Sequence, residues 1–177
     1  MSNLRLINDT TFSDVTNASV TDVFSSDYDI YKVVATDYAT SSGTAGRARL
    51  RFINTSGGVE TGSTYDSASL AIEAAATSAF PEVKATSQNH IDWLVYDNGE
   101  TGGASAGVWY IFNPFSSSAY SFVIFQESHF QASYGASTEK GIGVFKNTGS
   151  MEGFLIYGVN GGNFNARFRT YGLRVDT

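Results

Sequence analysis

The stretch Val108–Phe125, VWYIFNPFSSSAYSFVIF, constrains the fold more than any other part of the chain. Two runs rich in Val, Ile, Phe, Tyr and Trp, Val108–Phe112 and Ala119–Phe125, flank the turn-like segment Asn113–Ser118. β-Branched and aromatic side chains suit a pleated, half-buried surface. Asn, Pro and Ser reverse the chain through local hydrogen bonding and a fixed φ. The spacing predicts a long β-hairpin at the centre of an antiparallel sheet.

The rest of the chain follows the same rhythm. Arg47–Asn54, RARLRFIN, is the cleanest alternation, with Ala48, Leu50 and Phe52 on one side and Arg47, Arg49 and Arg51 on the other. Further strands are predicted over Asn3–Ile7, Ser19–Phe24, Tyr28–Thr36, Asn89–Tyr96, Lys140–Lys146, Gly153–Tyr157 and Ala166–Val175. Turns are expected at Asn8–Thr11 and Thr55–Gly58, with an exposed loop at Thr40–Gly46 and a Gly-rich loop at Gly99–Gly107. The Asn-Gly pair within Gly158–Asn163 suits a tight or bulged hairpin between the last two strands. Tyr65–Ala76 is ambiguous: its Ala, Leu and Glu favour a helix, the surrounding rhythm a strand, and strand is the reading adopted because propensity is a weak prior. About ten strands, no helix periodicity and no internal repeat predict an all-β chain. The expectation is a single-domain, two-sheet antiparallel β-sandwich over residues 1–177, with jelly-roll topology.

Composition narrows the function. The net charge of −6 argues against nucleic acid, whose phosphates require clustered Lys and Arg, and against an anionic membrane surface. With no cysteine there are no disulfides, thiolate metal sites or cysteine nucleophiles. The start of the chain has no basic region followed by an apolar run, so no signal peptide is expected.

Chemical motifs are scarce. His90 and His129 stand far apart in sequence, without metal-ligand spacing, so no metal site is expected. Carboxylates such as Asp92 and Glu100 could be paired for acid/base work, but nothing singles out two of them. No Ser occupies a nucleophile elbow, and no glycine stretch is a phosphate loop. Catalytic residues, cofactors and metals are therefore all read as none. Trp93, Trp109, Tyr110, Phe112 and Phe115 could line a sugar-binding platform or fill the core of the sandwich.

The arginine stripe is the more informative signal. Arg47, Arg49 and Arg51, with the shorter stripe Arg167 and Arg169, hold five of the 11 basic residues. Like charges on one strand face repel unless acids or a partner surface face them. The protein's own acids across the strands are one solution. A subunit interface is the other, because the planar guanidinium fork is favoured at contacts. The hairpin tip Asn113, Pro114 and Phe115 is a further candidate contact loop.

Six segments carry a resemblance to a known group: SNLRLINDTTF (2–12), SDYDIYKVVATD (26–37), RLRFINTSG (49–57), YIFNPFSSSAYSFVI (110–124), KGIGVFKNTGSM (140–151) and FRTYGLRVDT (168–177). In these the chain resembles small virion structural proteins of tailed bacteriophages, particularly marine phages such as cyanophages. The segment Tyr65–Gln88 departs most from that pattern. The resemblance implies a non-enzymatic subunit of the virion, assembled in the host cytoplasm. It implies a homo-oligomer, such as a trimer, bound either to the major capsid protein as a decoration protein or to a tail protein as an adaptor or receptor-binding module.

Overall fold

Alternation is the physical origin of the architecture, since side chains of a strand point to opposite faces and every second one can be buried. The computed structural model describes residues 3–41, 46–74, 80–92, 94–97, 99, 103–133 and 135–174. Its strands are β1 (Leu4–Val15), β2 (Asn17–Val20), β3 (Ile30–Thr40), β4 (Gly46–Asn54), β5 (Tyr65–Glu73), β6 (Glu82–Gln88), β7 (Tyr96–Asp97), β8 (Ser105–Phe112), β9 (Ser121–Gln131), β10 (Gly135–Phe145), β11 (Met151–Gly158) and β12 (Phe164–Leu173). One eight-stranded sheet runs β1-β12-β3-β8-β9-β10-β5-β6, and a four-stranded sheet runs β2-β11-β4-β7.

The pairing is that of a jelly roll. β1 pairs with β12, β2 with β11, β3 with β8 and β4 with β7, all antiparallel, so the chain forms one long nested ribbon. That ribbon rolls up because β12 also pairs with β3 and β11 with β4. Two hairpins are inserted into it: β5–β6 between β4 and β7, and β9–β10 between β8 and β11. Both extend the larger sheet beyond β8.

Aromatic side chains join the two sheets. Trp109 of β8 and Phe168 of β12 meet Phe154 of β11, with ring centroids 6.1 and 6.2 Å away. Phe52 of β4 reaches Phe145 of β10 at 5.4 Å and stacks on Tyr65 of β5 at 6.4 Å. All six are fully buried, and each contributes roughly 1.5–3 kcal/mol by leaving water. The Trp109 indole donates to the Leu94 carbonyl at 2.9 Å, so the one polar atom of that side chain is satisfied.

The expected central hairpin forms as β8 and β9, in the register Phe112 opposite Phe122 through Ala106 opposite Ser128. The ambiguous segment is a strand, β5, held between β10 and β6. Ladder hydrogen bonds on both sides override its helical composition. Its expected end, Ala75 and Ala76, lies outside the described residues, as do residues 42–45 of the expected exposed loop.

Several expectations are corrected. Asn8–Thr11 is not a turn but continues β1, with a register shift between Leu6 and Asn8 absorbing the irregularity. β6 was not anticipated. EVKATSQ is a mostly exposed edge strand, so it has no apolar alternation to read. The strand expected over Asn89–Tyr96 is largely irregular, though it follows β4 through hydrogen bonds from Ala48 to Val95 and between Leu50 and Ile91. It buries the consecutive residues Leu94 and Val95, which a regular strand cannot point the same way. Gly158–Asn163 is no hairpin. β11 and β12 belong to different sheets, and a single 3-10 turn, Val159–Gly161, carries the chain across.

Candidate functional site

The outer face of the smaller sheet carries the arginines of β4, and they are engaged within the chain. Arg49 Nε lies 3.3 Å from Asp92 Oδ1, and Arg47 Nη1 lies 3.9 Å from Asp92 Oδ2. Arg51 donates to the Asn89 carbonyl at 2.9 Å and lies 4.5 Å from the centre of the Tyr157 ring. His90 Nε2 stands 3.8 Å from the same Asp92. Burial works against the Asp92 carboxylate, but the His90 contact and the two guanidiniums outweigh it and hold its pKa below the ordinary range. On the larger sheet, Arg167 grips Asp9 with two hydrogen bonds of 2.7 and 2.6 Å, and Arg169 donates to Thr36 at 3.4 Å.

The hairpin tip is folded back onto the body. Pro114 is buried, and its carbonyl accepts from Met151 N at 2.8 Å. The Phe115 carbonyl accepts from Ser150 Oγ at 2.9 Å, and the Phe115 ring packs against the core. Asn113, with φ of 55°, donates its N–H to Asp29 O at 2.7 Å. The exposed residues of the turn are Ser117 and Ser118. The aromatics considered as a sugar platform do not converge on one surface. Trp109 points inward, while Tyr110 and Phe112 stand on the opposite side of β8. Trp93 and Glu100 lie outside the described residues.

Sequence reading missed a buried acid pair. Glu127 of β9 and Glu139 of β10 stand directly opposite each other on the inner face, 1% and 2% exposed. His129 Nδ1 contacts Glu127 at 3.0 Å, and Ser69 of β5 donates to Glu139. Burial raises the pKa of Glu139 to about 7; the Ser69 hydrogen bond opposes this, while the charges of Glu127 and Asp92 add to it. Glu127 is also raised by burial, with His129 opposing. The strand alternation placed both carboxyls inside, but only the β9–β10 register placed them together. Among the described residues, no group of three or more His, Cys, Asp or Glu could hold a metal ion.

The most extensive feature is the outer face of the larger sheet. A sandwich sheet ordinarily shows polar side chains to water on its outer side. Here Tyr110, Ile124, Ile142 and Ala68 stand opposite one another across β8, β9, β10 and β5. Phe112, Phe122 and Val144 form the neighbouring row. Phe122, Ile124, Leu70 and Ile142 are 47%, 45%, 43% and 58% exposed. Phe122, Ile124, Ala68, Ile142 and Val144 line a concavity of about 660 Å³, rimmed by Asp66, Lys84 and Thr86. Most of this surface is built by β5, β9 and β10, the inserted strands. The interior beneath them is closed by packing: a Cβ on Gly143 would overlap the Ile91 side chain. A contiguous exposed apolar patch of this kind marks an interaction site. The unbroken apolar run Phe122–Phe125 was the sequence signal for it, because a strand with one wet face alternates apolar with polar residues.

No protein-family model and no curated protein matches the chain. Among solved structures the chain is similar to the CBM2 module of the evolved Dit of Lactobacillus casei BL23 phage J-1, at 12% identity and a TM-score of 0.29, over 91% of this chain and 70% of that one.

Proposed function

We propose that this chain is a non-enzymatic structural subunit of a tailed-phage virion, a decoration protein that binds the outer surface of the major capsid protein shell as an oligomer. The observation that carries the reading is the uncovered apolar face of the larger sheet, built mostly from the two inserted hairpins. The sequence resemblance to small virion proteins supplies the particle. Assembly is the chemistry such a face performs: it removes apolar area from water and contributes about 25 cal/mol per Å².

Mass spectrometry of separated heads and tails of the phage that encodes the chain tests this. It is expected in heads, in stoichiometric amounts. Recovery only in tails refutes decoration and favours the second reading, a tail-associated adaptor or receptor-binding module. One observation favours that second reading: Tyr110, Tyr120 and Phe122 are all exposed, and aromatic rings stack on sugars. A glycan array without signal removes its carbohydrate-binding form.

A further inference from the structure

The apolar face has a charge opposite to that of the molecule. The chain carries −6 overall. Yet Lys32 stands beside Tyr110, and Lys140 stands between Gln126 and Leu70, both on the outer face. Neither forms an ion pair among the described residues. The nearby acids are already engaged. Asp66 takes Lys146 at 2.8 Å, and Glu82 takes Lys84 at 2.8 Å. Beside the 660 Å³ concavity lies a second depression of about 330 Å³ lined by Leu70, Glu82 and Lys140, and Ile124 and Ile142 border both. The face therefore offers apolar hollows next to two lysines that form no ion pair among the described residues.

We propose that this face receives a partner protein segment that inserts an apolar side chain into the concavity and presents carboxylates to Lys140 and Lys32. The proposal rests on the docking reading of the face, and not on the assignment to a phage particle. A second copy of the chain fits less well. Two such faces would bring their lysines together. An acidic partner is steered toward the face and repelled by the rest of the surface, which sets orientation as well as affinity.

The test is selection of binders from a yeast-displayed random dodecapeptide library, followed by fluorescence anisotropy with the synthesised consensus peptide. Enriched sequences are expected to combine Leu, Ile, Phe or Trp with neighbouring Asp or Glu. Affinity should fall at least tenfold with Ile142→Lys. It should fall several-fold with Lys140→Glu combined with Lys32→Glu, and several-fold again between 50 and 500 mM salt. Ile142 is more than half exposed, so Ile142→Lys should keep the parent circular-dichroism spectrum. Sedimentation velocity of the full chain is the second arm. Failure to enrich, enrichment without acids, or indifference to Ile142→Lys overturns the proposal. A concentration-dependent dimer abolished by Ile142→Lys also overturns it, by making a second copy the occupant. Absence of the chain from heads would refute decoration and leave the peptide result standing.

Discussion

Replacing Glu139 by Gln should stabilise this protein at alkaline pH and leave it nearly unchanged at acid pH. Glu139 stands opposite Glu127 of β9, accepts a hydrogen bond from Ser69 of β5, and feels the charges of Asp92 and of Arg47 on β4. Its carboxyl titrates at about 7 in the folded chain, against 4.5 for the ordinary group. That difference corresponds to roughly 3 kcal/mol between the two protonation states. Allowing for partial screening by solvent, about 2 kcal/mol is expected to reach stability. A raised folded pKa means that the folded state binds the proton more tightly. The stabilisation is complete below pH 4.5 and is lost as pH rises through about 7. Gln is uncharged at every pH and keeps an oxygen for the Ser69 hydroxyl. Urea unfolding at pH 5, 6, 7 and 8, at constant ionic strength and followed by tryptophan fluorescence, reads the effect. The variant should exceed the parent by about 2 kcal/mol at pH 8, with the gap narrowing to about 0.5 kcal/mol at pH 5. Asp92 is shifted in the opposite direction and titrates below this window. Parallel midpoints for the two proteins across the whole pH range would refute the argument. So would a variant that is less stable at pH 8. Glu127→Gln should act in the same sense, and the double variant should gain less than the sum, because either neutral side chain relieves the other.

Trp109→Ala should cost about 3–5 kcal/mol, since the side chain is fully buried between the sheets and leaves the Leu94 carbonyl without its donor; equilibrium urea denaturation checks it. Gly153→Ala should lower stability by about 1–3 kcal/mol, seen as a fall in melting temperature of several degrees, because its Cβ would overlap the Val20 carbonyl oxygen and push β2 from β11. An unchanged melting temperature would show that β2 yields freely. Asp9→Asn should weaken the clamp on Arg167, so backbone amides of β1 should exchange faster while those of β8 keep their protection in hydrogen-exchange mass spectrometry.

The legibility of the chain follows burial. β4, β8, β9 and β12 alternate against a core, and their positions were readable from Ala48, Leu50, Phe52, Trp109, Val123 and Phe168 alone. β6 was not, because an exposed edge strand has no apolar partner to register in its composition. The strand expected over Asn89–Tyr96 is largely irregular because the segment follows β4 through isolated hydrogen bonds and not a continuous ladder, which hydrophobicity cannot distinguish from a regular strand. The arginines of β4 were visible as a stripe. Their neutralisation by Asp92 was not, since that acid lies more than 40 residues later on a segment of irregular shape.

The sequence by itself determined that the chain is all-β and that its central hairpin is β8–β9. Those are local properties: period-two patterning and turn residues. Only the tertiary structure decided which strands pair within the jelly roll, that Glu127 meets Glu139, and that Tyr110, Ile124, Ile142 and Ala68 form one row on an open face. These depend on register between strands distant in sequence, and one residue of slip would have turned every one of those side chains to the other side.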